Sequence, residues 1–543
     1  MNTHAIAPLI FAALILPAAH AQKETPDLCT PPPSAVRPSL PAKLMHGQGK
    51  VHFPITTTNP KAQEFFDQGV AQMHSFWAFE AERSFLQAAE LDPEAPMPHW
   101  GIAMVAAGDF RPRFQSDLIK KVSPGRMGVP SRVIEAARKA VELSQVPGKA
   151  TPIEKLYIEA IAARRDESAK DPEEGYTQAL RRLLAQYPKE VEAKSYLALQ
   201  LMRGFKLPDK TPRSTSMEAV ALLRELLIEA PDHPGVHHYV IHGFEGSTFA
   251  REAFESCKRY AELAPNIPHA LHMPGHIYSQ TGRWQDAVAS FTAAMENELG
   301  YIRRDPLYGK GHHGHNVHYL ATSYSFLGKS AQAIEAASTL LEFKENPREA
   351  AAVDAFYSTY RQGWFALLRT LVQAERWDDV LAGRILPEYD KPRERAWTHW
   401  ARALAHIASG SLASARMEAR GMEAALKDFK TKTRLPVAPE LAVARLELRG
   451  HLSVASGKVD AGLRTLQEAA RRERALPYTE PPYYPRPVNE ALGRVALRHG
   501  RLDLARRSFE EALVQYPASA HAETGLREIE RRARLAGESR AGL

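Results

Sequence analysis

Four segments of this chain share one pattern of small and aromatic residues, and this repetition limits the folds it can adopt. In each segment an alanine is followed four positions later by an apolar or aromatic residue, and three positions beyond by a small or apolar one. Amphipathic runs with helical period separate these segments, and alternating strand patterns are almost absent. Because one such unit buries its apolar face only against its neighbours, we expect one continuous all-α array. The four segments are FWAFEAERSFLQAAELDP (76–93), GRWQDAVASFTAAMENE (282–298), LGKSAQAIEAASTLLE (327–342) and GRLDLARRSFEEALVQYP (500–517).

The repeat has a period of 34 residues. Pro231 and Pro265 are 34 residues apart, and so are the successive alanines Ala219, Ala253 and Ala287. This period and residue pattern resemble the tetratricopeptide repeat, a 34-residue helix-turn-helix unit. The resemblance implies an all-α, right-handed superhelical solenoid of antiparallel helix pairs with a concave inner face. In the best-matching unit the signature residues are Gly275, Tyr278, Gly282, Ala287, Phe291 and Ala294.

A narrower resemblance rests on particular stretches of text. The segments HFPITTTNPKAQEFFDQG (52–69), HWG (99–101), HHY (237–239) and HMPGHIY (272–278) are similar to those of exported bacterial tetratricopeptide repeat proteins. This resemblance bears on fold and location and implies no particular activity.

The first 21 residues have the features of a secretory signal peptide. An apolar run from Ala5 to Ala19 is followed by Ala19-His20-Ala21, which fits a cleavage site between small residues. The run is short for a membrane helix and contains prolines. We therefore predict a periplasmic or secreted protein whose mature chain begins near Gln22 and has no membrane span.

The rest of the chain divides by composition. Residues 22–59 are proline-rich and predict an extended lead-in, and residues 60–535 carry the repeat pattern. Two segments near 299–313 and 477–487 interrupt the repeats as insertions. Residues 536–543 are a predicted C-terminal tail.

Charge and short motifs exclude several classes of function. The net charge is +7, but the excess arginines in the last third alternate with glutamates, which is typical of solvated helix faces. Basic and aromatic residues are not interleaved as in nucleic-acid modules, so we expect no nucleic-acid partner. The LGKS at 327–330 lacks the upstream glycine of a phosphate loop.

The chain contains two cysteines, Cys29 and Cys257. In an exported chain they either form one disulfide or remain separate, with Cys257 as a buried thiol on a helix.

Histidines are concentrated in one part of the chain. Eleven of the 22 lie within the 86 residues from His233 to His318. His238 and His242 take positions 5 and 9 of one repeat, and His272 and His276 take the same positions of the next. In the tetratricopeptide family these positions line the concave face, so the resemblance implies that both pairs share that face. His269, His315, His318 and Glu245 occupy further positions that the family places there.

The two pairs predict a metal site. Residues four apart on a helix point the same way, and packed helices lie about 8–10 Å apart, so both pairs can reach one ion. Imidazole ligands suit a divalent transition metal, Zn or Cu. We predict His238, His242, His272 and His276 as ligands, with His269, His315, His318 and Glu245 as additional ligand or groove residues. A hydrogen-bonded groove that holds a peptide and simple packing are the alternatives.

Two functions are consistent with this pattern of repeats and histidines. In the first, the chain is an exported scaffold that binds a peptide or protein partner in its concave groove, with the metal as part of that surface. In the second, the same cluster serves a metal-dependent enzyme, a hydrolase or an oxidase, with Glu245 as a base. The sequence leaves open whether the chain is an enzyme.

Overall fold

The structure, a computed structural model, describes residues 40–122, 129–304, 313–343 and 358–541. The predicted signal peptide, Cys29 and residues 305–312 of the first insertion lie outside the described residues. Within the described ranges the chain forms 24 α-helices and a 3-10 helix at Ala250–Ala253. The α-helices are α1 Pro60–His74, α2 Ala78–Leu91, α3 Pro96–Val105, α4 Arg113–Val122, α5 Ser131–Ser144, α6 Pro152–Arg164, α7 Pro172–Gln186, α8 Val191–Leu201, α9 Ser216–Glu229, α10 Pro234–Phe244, α11 Phe254–Leu263, α12 Pro268–Gln280, α13 Trp284–Arg304, α14 His313–Phe326, α15 Ser330–Glu342, α16 Thr359–Gln373, α17 Trp377–Ala382, α18 Pro392–Ala408, α19 Leu412–Thr433, α20 Pro439–Ala455, α21 Val459–Arg474, α22 Val488–Arg498, α23 Leu502–Gln515 and α24 Ala520–Ala541.

Consecutive helices pack against each other along the chain. α1 packs on α2, α12 on α13, α18 on α19, α20 on α21 and α22 on α23. The predicted fold class, an all-α tetratricopeptide-type solenoid of antiparallel helix pairs, is confirmed.

The repeated glycines and phenylalanines meet where the helices of adjacent units cross. A Cβ at Gly69 on α1 would lie 2.6 Å from the ring of Phe85 on α2, and a Cβ at Gly101 on α3 would lie 2.5 Å from the same ring. Phe509 occupies the equivalent place beside Gly493, and both phenylalanines are fully buried. Close approach therefore requires glycine here, which explains the recurrence of this pair in the sequence.

Prolines fix where the histidine-bearing helices begin. Pro234 and Pro268 occupy the first turn of α10 and α12. A proline at this position loses no helical hydrogen bond and already has a helical φ. The 34-residue spacing of these helix starts places the histidines of both helices in the same phase.

The described part of the lead-in, residues 40–59, has no helix and packs on the repeats. The Gln48 side-chain amide donates to the Asn266 carbonyl at 3.1 Å. The Phe53 ring lies 5.7 Å from that of Phe66 and 5.6 Å from that of Trp100. This segment thus joins the first units to the histidine region.

The second insertion, residues 477–487, turns back against the helices of the C-terminal half. Arg369 of α16 donates to the carbonyls of Tyr484 at 3.0 Å and Pro485 at 3.2 Å. The Tyr484 ring lies 5.9 Å from those of both Trp397 and Trp400 on α18. All five residues are buried, so this part of the segment belongs to the interior.

The C-terminal units return to the middle of the chain. The Trp284 indole N–H donates to the Pro517 carbonyl at 2.8 Å, and its ring stacks on Phe326 at 4.4 Å. The Phe326 ring in turn lies 4.9 Å from Tyr516. The array is therefore closed on itself near α13, α14 and α23.

Every helix in the described ranges is too short or too polar to cross a bilayer. Cys257 is a free thiol buried on α11, and burial raises its pKa above the usual range.

Candidate metal centre

Three helices bring the clustered histidines together. α10 carries His238 and His242, α12 carries His269, His272 and His276, and α14 carries His315. Their exposed fractions are between 0 and 7%. The face that the repeat register assigns to an inner groove is therefore buried at these histidines.

The first group consists of His238, His242 and His269. One ring nitrogen from each lies within 4.8 Å of the others. The Nε2 atoms of His238 and His269 are 3.0 Å apart, and the ring centres of His238 and His242 are 4.8 Å apart. We call these residues the first triad.

Oxygen acceptors fix the ring orientation of two of its members. His238 Nδ1 donates to the His74 carbonyl at 2.5 Å, and His242 Nδ1 lies 2.9 Å from Glu245 Oε1. His74 ends α1, so its carbonyl has no partner within the helix. Because a carbonyl only accepts, the His238 proton is on Nδ1 and its Nε2 lone pair faces the triad. His242 has the same ring orientation, with its Nδ1 toward Glu245 and its Nε2 on the other side of the ring.

Burial keeps these imidazoles neutral. It lowers the pKa of His238 and of His242 well below the usual value, and the charge on neighbouring histidines adds to the effect. Neutral imidazole with a bare Nε2 is the form that binds a metal ion.

The second group consists of His272, His276 and His315, again with one nitrogen each within 4.8 Å. The Nε2 atoms of His272 and His276 are 2.6 Å apart, and the rings of His272 and His315 are 4.8 Å apart. We call these residues the second triad.

Glu245 contacts both triads. Its Oε1 lies 2.9 Å from His242 Nδ1, and its Oε2 lies 3.3 Å from His276 Nδ1. His276 Nδ1 also contacts Glu480 from the 477–487 insertion. Burial and the adjacent Glu480 carboxyl raise the pKa of Glu245 to about 8. Both carboxyl groups contact imidazole Nδ1 atoms, as groups that orient metal-binding imidazoles do, and with His276 they form a further group whose candidate ligand atoms lie within 4.8 Å of one another.

Aromatic rings cover the first triad. Phe76 lies 4.4 Å from the His238 ring and 5.4 Å from the His242 ring, and Tyr260 stacks on His238 at 4.9 Å. Phe76 has a φ of 53°, a left-handed conformation that is uncommon for a bulky residue. The backbone just after α1 is therefore strained in the conformation that places the Phe76 ring beside the triad.

A third group, His74, Glu192 and His233, lies behind the first triad. His74 Nε2 is 2.6 Å and His233 Nε2 is 2.9 Å from the Glu192 carboxylate, while Tyr239 donates to His74 Nδ1 at 2.7 Å. The Val236 N–H donates to His233 Nδ1 at 3.2 Å. All four ring nitrogens have partners, so this group is a hydrogen-bond network that supports the His74 carbonyl.

The structure arranges the predicted ligands differently from the single group of His238, His242, His272 and His276. These four are divided between two triads, which His269 and His315 complete. His318 lies in neither triad, and its Nδ1 contacts the Gln362 amide oxygen at 2.5 Å. Glu245 contacts the Nδ1 atoms of His242 and His276, so it does not lie on the Nε2 side of these rings, where a base beside a bound metal would be expected.

The sequence pattern did not predict the contributions of Glu480 and Phe76. Glu480 belongs to a proline-rich insertion. Its composition marks the segment as an interruption of the repeats but does not predict which helices it packs against. Phe76 belongs to no motif that predicts a site.

Comparisons with known proteins give no family. No protein-family model and no curated protein matches the chain. Among solved structures, yeast Tom70 matches at 13% identity over 87% of this chain and 96% of its own, with a TM-score of 0.33. A human IFIT1 dimer with PPP-AAAA matches at 13% identity over 87% and 90%, with a TM-score of 0.31, and the APC/C hetero-tetramer Cut9-Hcn1 at 12% over 86% and 90%, with 0.26. These likenesses carry no argument about function.

Proposed function

We propose that this chain is a metal-binding helical-repeat protein that holds a transition-metal ion, Zn or Cu, at His238, His242 and His269. The observation that carries the proposal is the orientation of the first triad. The Nδ1 atoms of His238 and His242 contact a carbonyl and a carboxyl oxygen, which is how proteins orient metal-binding imidazoles.

The spacing of the nitrogen atoms suits one ion. Ligands at 2.0–2.1 Å from a tetrahedral metal are roughly 3.3 Å apart. His238 Nε2 and His269 Nε2 are 3.0 Å apart. Such a short approach of two imidazole nitrogens is favourable when a cation lies between them or a proton is shared.

His242 Nε2 supports the same interpretation. In the part of the chain that the structure describes, this buried atom has no hydrogen-bond partner. Leaving such an atom unsatisfied costs about 1–3 kcal/mol. A metal ion at the triad provides its partner.

A three-histidine site leaves a coordination position for a further ligand, as catalytic sites do. The enzyme hypothesis, hydrolase or oxidase, therefore remains a proposal beside simple metal storage or structural binding. Because both Glu245 oxygens contact histidines, we do not propose Glu245 as the general base.

The peptide-binding hypothesis is the second candidate and is supported by the scaffold fold alone. At the triads the histidines are buried, with Phe76 and Tyr260 against the rings of the first triad. A partner in the groove would therefore contact other parts of the inner face, and the metal would not be part of that surface.

We also propose export of the protein, on the sequence of residues 1–21. Sequencing the N-terminus of the protein from the periplasmic fraction tests this, with Gln22 as the expected first residue. An intact Met1 would contradict export with cleavage.

Metal analysis with a ligand variant tests the proposal. The protein is stripped, loaded with Zn or Cu and measured by elemental analysis beside His242→Ala. We expect the variant to bind more than about 100-fold more weakly, since loss of a ligand costs more than the 10–100-fold typical of outer partners.

His237→Ala is the matched control on the same helix. His237 bonds to the Pro231 carbonyl and the Ser256 hydroxyl instead of the triad. Equal metal content and affinity in wild type, His242→Ala and His237→Ala would refute the site, provided that their circular dichroism is the same.

A further inference from the structure

We propose that the second triad holds a second ion, so that the two triads form a copper pair that binds dioxygen between its ions. This inference rests on the proposed metal site at the first triad. It adds a second site, a specific metal and a class of ligand.

The second triad meets the same geometric conditions as the first. His272 Nε2 and His276 Nε2 approach to 2.6 Å, and His315 from α14 completes the group. His276 Nδ1 contacts Glu245 and Glu480, so its Nε2 faces away from the carboxyl groups and toward His272.

The two triads are adjacent. The His242 and His276 rings are 6.5 Å apart, and the His269 and His272 rings are 5.9 Å apart. These separations are close to the largest ring separation within the first triad, 6.3 Å between His242 and His269. Paired ions in proteins act together on a ligand that touches both.

Glu245 connects the pair. It contacts one imidazole of each triad through a different carboxyl oxygen. Two cations in a buried site require nearby negative charge. Glu245 and Glu480 are the carboxyl groups in contact with these imidazoles, and bound cations favour their ionised forms.

The donor set favours copper. Each triad offers only imidazole nitrogens, and Cu²⁺ has the highest affinity of the divalent first-row ions for such sites. Neutral imidazoles also suit Cu(I), so the site accommodates both oxidation states.

Burial favours a very small ligand. All six histidines are at most 7% exposed, and Phe76, Tyr260 and Phe291 lie against them. A peptide or ester has no open approach to such a site, whereas a diatomic molecule diffuses through a protein interior by small fluctuations.

The electron balance is simple. Each of two Cu(I) ions gives one electron to dioxygen, which becomes a peroxide dianion bridging two Cu(II) ions. The O–O single bond remains, no proton moves, and the reverse transfer releases dioxygen.

The test begins with the stripped full-length protein loaded anaerobically with Cu(I) and then exposed to dioxygen. We expect two coppers per chain, uptake of one dioxygen per pair, a near-ultraviolet charge-transfer band and no Cu(II) paramagnetic resonance signal, because bridged ions couple. His315→Ala is expected to retain one copper and to show a Cu(II) signal after oxidation.

His318→Ala is the matched control, since His318 is a buried histidine of the same helix outside both triads. It is expected to bind two coppers and take up dioxygen. His315→Gln, which retains a polar side chain, replaces the alanine variant if that variant fails to fold.

The outcomes separate the two proposals. One copper per chain in the wild type, with an ordinary Cu(II) signal, would overturn the pair and leave the first triad as a metal site. Two coppers without dioxygen uptake would overturn the dioxygen pair. No copper at all would overturn the copper pair, and binding of neither copper nor zinc would overturn the metal site at the first triad as well.

Discussion

At the scale of single residues, the candidate centre depends on which nitrogen of each imidazole carries the proton. His238 and His242 lie on one helix, but different partners orient them, a helix-terminal carbonyl and a buried carboxyl group. This arrangement buries several polar side chains. Buried polar groups in folded proteins either have hydrogen-bond partners or serve a function. The oxygens that accept from the imidazole N–H groups are therefore as informative as the histidines themselves.

Glu245→Gln tests the role of these oxygens. The amide retains the shape but cannot ionise beside a bound cation and has one acceptor oxygen instead of two, so we expect metal affinity to fall about 10–100-fold. A competition titration with a chromogenic chelator measures this. Glu262→Gln, on the exposed face of α11, is the control and should bind as the wild type does. Unchanged affinity in Glu245→Gln would remove Glu245 from the centre.

At the scale of helices, the repeat units depend on close packing between glycine and phenylalanine. The 34-residue period predicts this packing from the sequence, because the residues that meet belong to neighbouring helices at a fixed spacing. The same period predicts that His238, His242, His272 and His276 share a face. It does not predict their division into two triads, because that depends on the rotation of each helix against the next.

Gly69→Ala tests the packing. The new Cβ would lie 2.6 Å from the Phe85 ring, so we expect a loss of about 1–3 kcal/mol in the free energy of unfolding. Gly175→Ala on α7 is the control, since its nearest neighbour is at 3.7 Å. It should gain about 0.5–1 kcal/mol from helix propensity. Chemical denaturation measures both, and equal effects would contradict a requirement for glycine beside the ring.

An ion pair beyond the end of α3 predicts a dependence on pH. Burial raises the pKa of Asp109, but the guanidinium groups of Arg164 and Arg165 more than offset this, and the pKa lies below its usual range. A lowered carboxyl pKa stabilises the fold above the unfolded value of about 3.8, and this contribution is lost as the pH falls. Asp109→Asn should cost about 3–5 kcal/mol at pH 7.

Denaturation of wild type and Asp109→Asn across the acidic range measures this difference. It should narrow progressively below about pH 4, as the Asp109 carboxylate of the unfolded wild-type chain becomes protonated. A difference that stays constant down to pH 2 would contradict the assigned role of the charge.

At the scale of the whole molecule, the C-terminal units pack against helices from the middle of the chain. The local repeat predicts each hairpin but not this closure, because the return of α23 to α13 depends on the summed rotation of all the units between them. The sequence does not predict the path of residues 477–487 either, because a proline-rich insertion has no repeat period. Glu480 reaches His276 only through that path.

Trp284→Ala tests the closure. The indole packs on Phe326 and donates to the Pro517 carbonyl, so its loss should cost about 3–5 kcal/mol and speed hydrogen exchange in residues 516–521. Trp284→Phe, which retains a ring, should have a smaller effect on both. Exchange in 516–521 that is unchanged in Trp284→Ala would show that this contact does not hold the C-terminal units against α13.

The most direct test of the proposed metal centre is a crystal structure of the copper-loaded protein with anomalous data collected at the copper absorption edge. We expect an anomalous peak about 2.0–2.1 Å from the Nε2 atoms of His238, His242 and His269. Peaks only at surface histidines, with the first triad in direct nitrogen-to-nitrogen hydrogen bonds, would contradict it.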